Sequence, residues 1–374
     1  MSSPKLSYSR RIRSTPYTPR VEALGVSGYS VVNHTILPKG FQNSVEEDYW
    51  HLKEHVQIWD VGCQRQVELY GPDAAHLTQL MTPRDLSHAQ TGECLYAPMV
   101  DENGGILNDP IILKLAEDRF WLSIADADML LWAKGLALGM KLDVAVNEPD
   151  VWPLAIQGPK SDDLVSRVFG NGIRKTGFFK FKKHPFMGRD LVVARTGYSK
   201  QGGFEFYLDD FTLGTALWDA LWKAGQGLNL RPGSPNLIER VEGGLLSLGN
   251  EMTRENNPLE CGMEKYCKLD GSIHFIGLEA LQKIEDSGPK QRIRGVIFDG
   301  EKCPPCQHPW PIRADDKQIG YITTAIWSPR FEQNIALAMI DSDYQDANTL
   351  VTVQVSDTSS SNGKVVDLPM QGPS

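Results

Sequence analysis

The sequence predicts an α+β protein that ends in an all-β domain, and three observations carry this prediction. Segments with strand and helix periodicity alternate over most of the chain. Residues 191–208 show the pattern of a strand, a glycine turn and a second strand. From about Gln291 the pattern changes to short strands between Pro, Gly and Asp turns, which predicts a terminal β domain.

Length and composition limit the class of protein. At 374 residues the chain is long enough for two or three domains, and 41% hydrophobic with 23% charged residues is typical of a soluble globular protein. The net charge of -9 argues against nucleic acid or an anionic membrane as the main partner. No apolar run approaches the ~18 residues that a spanning helix requires. The basic residues 5–20 are followed by no apolar stretch, so we expect a solvated arm and no secretory signal.

The six cysteines are scattered through the chain, which favours reduced thiols and a cytoplasmic location over a disulfide framework. Cys303-Pro-Pro-Cys306 is the one close pair. A zinc site needs a second pair at ligand spacing, and a redox site needs a helix that starts after the first cysteine. We therefore interpret the pair as part of a rigid loop.

The first helix is predicted by a capping box, Ser44-x-x-Glu47, and runs to about Gln57. It contains His51-x-x-Glu54-His55, a pattern in which two histidines bind zinc and the glutamate acts as base. The alternative is the polar face of a surface helix, because the sequence places no third ligand.

The following elements alternate. Strands are predicted at residues 65–70, 93–100, 106–115, 120–124 and 152–157, and helices at residues 73–81, 126–139, 161–169, 211–224 and 238–248. Asn108 and Asp109 interrupt an apolar strand, where an Asn-Asp pair is costly to bury unless it is hydrogen-bonded or functional. Asp109 is therefore a candidate site residue. In the last helix Arg240 lies between Glu239 and Glu242, which predicts a surface salt bridge.

Alternation across the hairpin of residues 191–208 places Glu205 and Tyr207 on one face and Phe204 and Phe206 on the other. A carboxylate beside aromatic rings can hold an N–H-bearing heterocycle or a cation. The alternative is the polar outer face of an ordinary hairpin.

The end domain is predicted from strands at residues 292–298, 318–323, 334–340 and 350–355. No phosphate loop, dinucleotide fingerprint, nucleophile elbow or kinase motif occurs in the chain.

Motifs over nearly the whole chain resemble the glycine-cleavage T-protein (aminomethyltransferase) family. They are Thr15-Pro-Tyr17, Trp59-Asp-Val61, Gly71-Pro-Asp-Ala74, Gly104-Gly-x-x-Asn-Asp109, Ile156-Gln-Gly-Pro159, Arg195-Thr-Gly-Tyr198, Gly203-x-Glu205, Arg240-x-Glu242, Asn257-Pro-x-Glu260-x-Gly262 and Phe275-Ile-Gly-x-Glu-Ala-Leu281. The resemblance implies a three-domain cloverleaf disc with a C-terminal β-barrel. It implies a discontinuous folate-binding α+β domain of residues 1–57 and 148–280, a second α+β domain of residues 58–147 and a barrel of residues 281–374. It also removes the zinc interpretation.

Other segments resemble the demethylase subgroup of that family, which acts on the sulfonium dimethylsulfoniopropionate. They include Leu52-Lys-Glu-His-Val-Gln-x-Trp-Asp60, Ser199-Lys-Gln-Gly-Gly203 and Leu248-Gly-Asn-Glu-Met-Thr-Arg-Glu-Asn256. The implied activity moves one methyl from the sulfonium to N5 of tetrahydrofolate, with no metal. The oligomeric state stays open, with a homodimer as one candidate.

The resemblance also implies site residues. Those for the folate are Tyr96 and Tyr198 as walls of the pterin ring, Glu205 at its N–H edge, Arg240 at the pterin end, and Asp109 near N5 as the catalytic residue. Those for the substrate are Ser123, Tyr198 and Tyr207.

Some positions depart from the subgroup. Tyr198 stands where similar demethylases carry Trp, and Val32 and Thr35 stand where Tyr and Met are expected. Fewer aromatic rings leave open a transferase that acts on another methylated onium such as a betaine, or on a glycine-cleavage substrate. A folate-binding protein without transfer chemistry is the third hypothesis.

Overall fold

The computed structural model describes residues 8–126, 128–315, 317–356 and 358–371. The chain forms two compact units. The first comprises Met1–Leu77, Ala89–Tyr96 and Pro110–Pro235, and the second comprises Thr78–His88, Ala97–Asp109 and Asn236–Ser374. The domain bounds that the resemblance implies stay a prediction.

A six-stranded sheet forms the centre of the first unit. Its order is Phe181–Phe186, Arg189–Ala194, Gly203–Leu208, Trp152–Gln157, Val56–Asp60 and Leu230–Gly233, and only the last pair is parallel. Phe204 and Phe206 pack on one face against the helices Ser161–Phe169 and Gly214–Ala224. Tyr207 packs on the opposite face. The predicted division of faces is confirmed.

The whole Gly203–Leu208 strand is buried, so the alternative of a polar outer face is wrong. The strand lies between two others and is covered on both faces. Glu205 is therefore a buried carboxylate in the middle of a sheet.

The first unit also contains a five-stranded sheet and a hairpin. The sheet order is Ala145–Asn147, Gln66–Tyr70, Arg119–Ser123, Ile111–Ala116 and Cys94–Tyr96, and the hairpin pairs Gly28–Val32 with Thr35–Gly40. The predicted strand of residues 93–100 is interrupted after Tyr96, and that of residues 106–115 is interrupted at Asp109.

The second unit contains the predicted all-β end domain as a closed barrel of six strands. Their order is Gln291–Phe298, Gln333–Asp341, Lys317–Ser328, Trp310–Ala314, Leu350–Ser356 and Ser359–Val366. The sequence did not predict Trp310–Ala314, which contains a proline, or Ser359–Val366, which begins with serines. A short pair, Met99–Val100 with Ile106–Asn108, belongs to the same unit.

Helices connect these sheets. The α-helices are Thr18–Ala23, Val45–Glu54, Ala74–Leu80, Met129–Gly139, Ser161–Phe169, Gly214–Ala224, Leu237–Gly243 and Leu278–Ser287, and the 3-10 helices are Asn171–Lys175, Phe211–Leu213, Glu264–Tyr266 and Ser342–Tyr344. Within the described ranges, none of these helices has the length and apolar character needed to cross a bilayer.

Two helix ends differ from the sequence prediction. The capping box at Ser44 is present, but the helix ends at Glu54 because residues from Val56 onward form a buried strand. The helix that begins after Asn236 ends at Gly243, and Gly244 takes a left-handed conformation with φ +64°. The first helix ends where strand pairing begins, and the second ends at a glycine C-cap.

Asp60 is expected to make the stability of the protein fall as pH rises. This buried carboxylate accepts hydrogen bonds from the Thr15 hydroxyl at 2.6 Å and the Gly62 N–H at 3.1 Å, and burial raises its pKa to about 7. A raised pKa favours the protonated form in the folded state, so its stabilisation is complete below the ordinary pKa of about 3.9 and is lost as pH rises through 7. We expect the unfolding free energy to fall by about 2 to 3 kcal/mol between pH 5 and pH 8.

Denaturant titrations at several pH values measure this effect. The variant Asp60→Asn cannot ionise there, so its stability should lack that decline. An equal decline in the variant and in the parent protein would assign the pH dependence to other groups.

Candidate functional site

Glu205 is the centre of a buried polar group in the first unit. Its strand neighbours on both sides are alanines, Ala155 and Ala194, whose side chains are short. Thr196 donates its hydroxyl hydrogen bond to Glu205 Oε2. Burial raises the pKa of Glu205, and the hydrogen bond from Thr196 opposes that rise. The group is a carboxylate acceptor held in a low-dielectric position.

Tyr207 continues this polar group two residues along the strand. Its ring lies 6.2 Å from that of Trp121, and burial, followed by the charge of Glu205, raises its pKa well above the ordinary value. Among the described residues the buried Tyr207 hydroxyl has no hydrogen-bond partner, and nearby Ser123 partly opposes the rise of its pKa. Ser123 itself accepts a hydrogen bond from Gln66 Nε2 at 3.1 Å. Of the predicted substrate residues, the structure therefore brings Ser123 and Tyr207 together.

Gln66 is a residue of this group that the sequence analysis missed. It is buried, and it pairs directly with Ser123 across two neighbouring strands. The available signal was a polar side chain in the predicted strand of residues 65–70. Its partner strand, fifty-odd residues later, could not be identified from the sequence alone.

The two predicted ring walls also belong to the first unit. Tyr96 is half-buried at the end of the Cys94–Tyr96 strand. Cys94, two residues earlier on the same strand face, packs with Tyr207. Tyr198 is half-buried in the loop of residues 195–202, whose start is fixed by Arg195 through two hydrogen bonds to Asp162 at 3.0 and 2.7 Å.

Asp109 lies in the second unit, directly after the Ile106–Asn108 strand. Its backbone N–H donates to the side-chain oxygen of the fully buried Asn108 at 3.0 Å. Asp109 is half-buried, and its charge is one of those that raise the pKa of the buried Cys261 thiol, after burial itself and Glu260. The interruption of the strand thus places a carboxylate at a fixed backbone position.

Arg240 is not on the surface, so the predicted placement in a surface salt bridge is wrong. It is 6% exposed, and its Nη1 donates to Glu251 Oε2 at 2.6 Å and to the Leu245 carbonyl at 3.1 Å. Its Nη2 donates to Thr324 Oγ1 at 3.0 Å. The partner carboxylate, Glu251, is a residue that the sequence analysis missed, although the segment of residues 248–256 contains it.

The His51 and His55 pair has protein partners. His51 Nε2 donates to the Asn229 carbonyl at 2.8 Å, and its Nδ1 lies 3.3 Å from Gln57 Nε2. Burial lowers the pKa of His51 to about 4, which keeps the ring neutral. His55 Nδ1 lies 2.7 Å from the Lys160 ammonium. Across the described residues, no group of three or more metal-ligating side chains occurs.

Cys303 and Cys306 lie in a segment without regular secondary structure, and all six cysteines carry free thiols. The Cys303 N–H donates to Asn334 Oδ1 at 2.9 Å, which fixes this segment. Burial raises the pKa of both thiols to about 11, so neither is an activated thiolate.

Comparisons with known proteins cover both units. Residues 17–271 match the GCVT N-terminal domain family, and residues 291–371 match the glycine cleavage T-protein C-terminal barrel domain family. The chain is 50% identical over 349 residues to the dimethylsulfoniopropionate demethylase of Ruegeria pomeroyi, covering 93% of this chain and 95% of that protein. It is 30% identical over 325 residues to an aminomethyltransferase of a Thermoanaerobacter species, covering 85% and 87%.

A solved structure has the same fold. The crystal structure of the glycine cleavage system aminomethyltransferase T from Bartonella henselae superposes with a TM-score of 0.86 at 21% identity, covering 96% of this chain and 98% of that one. The predicted fold class, including its C-terminal barrel, is confirmed.

Proposed function

Since the chain belongs to the glycine-cleavage T-protein (aminomethyltransferase) family, we propose that it is a tetrahydrofolate-dependent demethylase of dimethylsulfoniopropionate. The enzyme transfers one methyl from the sulfonium sulfur to N5 of tetrahydrofolate, which gives methylmercaptopropionate and 5-methyltetrahydrofolate. The observation that carries the proposal is the 50% identity to a demethylase of this name over 93% of the chain.

The side chains around Glu205 fit a folate. A pterin presents N–H donors at one edge and two aromatic faces, so it needs a carboxylate acceptor and flat side chains. Glu205 is a buried carboxylate with alanines beside it, and Thr196 fixes one of its oxygens. Hydrogen bonds to a charged acceptor are the strong ones in a dry site. We assign Glu205 to the N–H edge of the pterin, with Tyr96 and Tyr198 as ring walls.

The substrate needs little acid catalysis, because a sulfonium is an activated electrophile with a neutral leaving group. Most of the acceleration then comes from holding donor and acceptor at near-attack distance. Aromatic faces attract a cation by ~0.5 to 2 kcal/mol each. A carboxylate beside the sulfur would stabilise the substrate more than the transition state, where the positive charge leaves the sulfur. Glu205 and Asp109 are therefore assigned to the folate.

The remaining roles follow the same chemistry. Asp109 is assigned to accept the N5 proton as the methyl arrives. Ser123 and Tyr207, whose hydroxyls lie together in the buried polar group, are assigned to the substrate. Arg240 stays a predicted folate residue, held by Glu251 and Thr324.

A second candidate function is methyl transfer from another onium such as a betaine. The observation that favours it is Tyr198 at the position where similar demethylases carry Trp, together with Val32 and Thr35. Transfer from an aminomethyl-lipoyl arm is disfavoured, because Tyr198-Ser-Lys-Gln replaces the Tyr-Thr-Gly-Glu of T-proteins.

An anaerobic assay with tetrahydrofolate and dimethylsulfoniopropionate tests the function, with 5-methyltetrahydrofolate measured by chromatography. We expect product from the sulfonium and none from a panel of betaines. Product from a betaine alone would keep the mechanism and change the substrate. Folate binding without product from any donor would favour a folate-binding protein that lacks transfer chemistry.

We further propose that the enzyme acts in the cytoplasm as a homodimer, with small molecules as its partners. Six free thiols support a reducing compartment. The net charge of -9 disfavours nucleic acid as a partner.

A further inference from the structure

The loop of residues 195–202 joins the strands Arg189–Ala194 and Gly203–Leu208 and carries two side chains of the proposed folate site. Thr196 donates a hydrogen bond to Glu205, and Tyr198 is the proposed ring wall. Loops are more mobile than the strands they connect. The contacts that fix this loop therefore decide where both side chains stand.

One buried side chain amide bonds to both sides of Tyr198. Gln157 is 0% exposed at the end of the Trp152–Gln157 strand. Its Nε2 donates to the Thr196 carbonyl at 3.3 Å, and the Ser199 hydroxyl donates to its Oε1 at 2.6 Å. Ser199 is itself only 1% exposed. The amide thus fixes Thr196, two residues before Tyr198, by its nitrogen, and Ser199, directly after Tyr198, by its oxygen.

Two glycines make this close approach possible. A Cβ atom on Gly197 would lie 2.1 Å from Gln157 Oε1, and a Cβ atom on Gly203 would lie 2.5 Å from its Nε2. Gly203 also pairs directly with Gln157 in the sheet. The loop backbone therefore packs against the amide itself, and no other residue type fits at either position without moving it.

We propose that Gln157 and Ser199 are positioning residues that hold this loop in its folate-binding form. They act through Thr196 and Tyr198 and are not assigned any contact with the reacting atoms. The inference rests on the proposed folate site. Its consequence is specific: loss of the two hydrogen bonds weakens folate binding, while the transfer step from bound reactants is retained.

The variant Gln157→Met tests this, because it keeps the length of the side chain and removes both hydrogen-bonding groups without adding charge. We expect the dissociation constant and the KM for tetrahydrofolate to rise about tenfold, from two lost hydrogen bonds. The kcat at saturating folate should stay within about twofold. Ser199→Ala should raise the dissociation constant for tetrahydrofolate by a smaller factor. Ser199→Thr, which retains the hydroxyl, should bind tetrahydrofolate as the parent protein does.

Gln57 provides a matched control. It pairs with Gln157 across the sheet, is 1% exposed, and makes three hydrogen bonds through its side chain, one of them with His51 Nδ1 at 3.3 Å. Its Nε2 donates to the Asp48 carbonyl at 2.9 Å, and its Oε1 accepts from Trp59 Nε1 at 2.8 Å. Gln57→Met should lower thermal stability about as much as Gln157→Met and leave the affinity for tetrahydrofolate unchanged.

Folate binding is measured by calorimetry without the sulfonium, which separates the two proposals. If Gln57→Met and Gln157→Met changed folate affinity equally, the positioning role of Gln157 would be overturned. The same holds if Gln157→Met lost stability but kept its folate affinity. Neither result would bear on the proposed function. If the parent protein binds folate but does not demethylate the sulfonium, only the assignment of dimethylsulfoniopropionate as the substrate would be overturned. A parent protein that binds no folate would overturn both.

Discussion

Asp109→Asn is expected to lower kcat by about 10² to 10⁴, the usual contribution of a positioned general base. The substitution keeps the size of the side chain and removes the group assigned to accept the N5 proton. Tetrahydrofolate affinity should change little, because the pterin edge is assigned to Glu205. Steady-state kinetics across pH measure the effect, and the acidic limb of the rate profile, which reports the base, should disappear in the variant.

Glu102→Gln is the matched control for this experiment. It also removes one carboxylate, from an exposed position seven residues earlier in the same unit. Its kcat should equal that of the parent enzyme. If Asp109→Asn kept full kcat and the same pH profile, Asp109 would not be the proton acceptor.

Glu251→Ala is expected to lower the unfolding free energy by about 3 to 5 kcal/mol, the cost of leaving a buried charge without its partner. Glu251 is 1% exposed and accepts hydrogen bonds from Arg240 at 2.6 Å and from the Ser247 N–H at 2.8 Å. It also accepts hydrogen bonds from the hydroxyls of Thr323 and Thr324. Alanine would remove this carboxylate from the buried guanidinium of Arg240. Denaturant titration with a spectroscopic signal from the second unit measures the loss.

Glu255, four residues later, is exposed, so Glu255→Ala should change stability by less than about 0.5 kcal/mol. The double variant Arg240→Met with Glu251→Ala should recover part of the loss, because it removes both buried charges. A loss in Glu251→Ala no larger than in Glu255→Ala would show that the pair contributes little to stability.

The sequence predicted local features well and tertiary ones less well. Alternation around Glu205 placed its strand faces correctly, since that information lies in neighbouring residues. The burial of both faces could not be predicted, because it depends on distant segments that pack on the sheet, such as Trp218 on one face and Trp121 on the other. The capping box likewise predicted where a helix begins, while its end at Glu54 depends on a strand that pairs with distant segments.

Arg240 shows the same limit for charges. Helix spacing suggested Glu239 and Glu242 as surface partners, but Arg240 is buried and donates to Glu251, which lies beyond the helix C-cap at Gly244. The two consecutive glycines at 243 and 244 were the available signal that the helix ends there. A buried ion pair across an irregular segment has no periodic signature, so only the tertiary structure identifies it.

The edges of the central sheet have a consequence for aggregation. A closed barrel offers no unpaired strand to another chain, whereas an open sheet does. In the six-stranded sheet one outer strand is Phe181–Phe186, where Lys182 and Lys183 are exposed and Pro185 removes a backbone donor. Charge and proline are the features with which proteins prevent edge-to-edge pairing. This strand therefore protects the sheet that carries Glu205 from joining that of a neighbouring molecule.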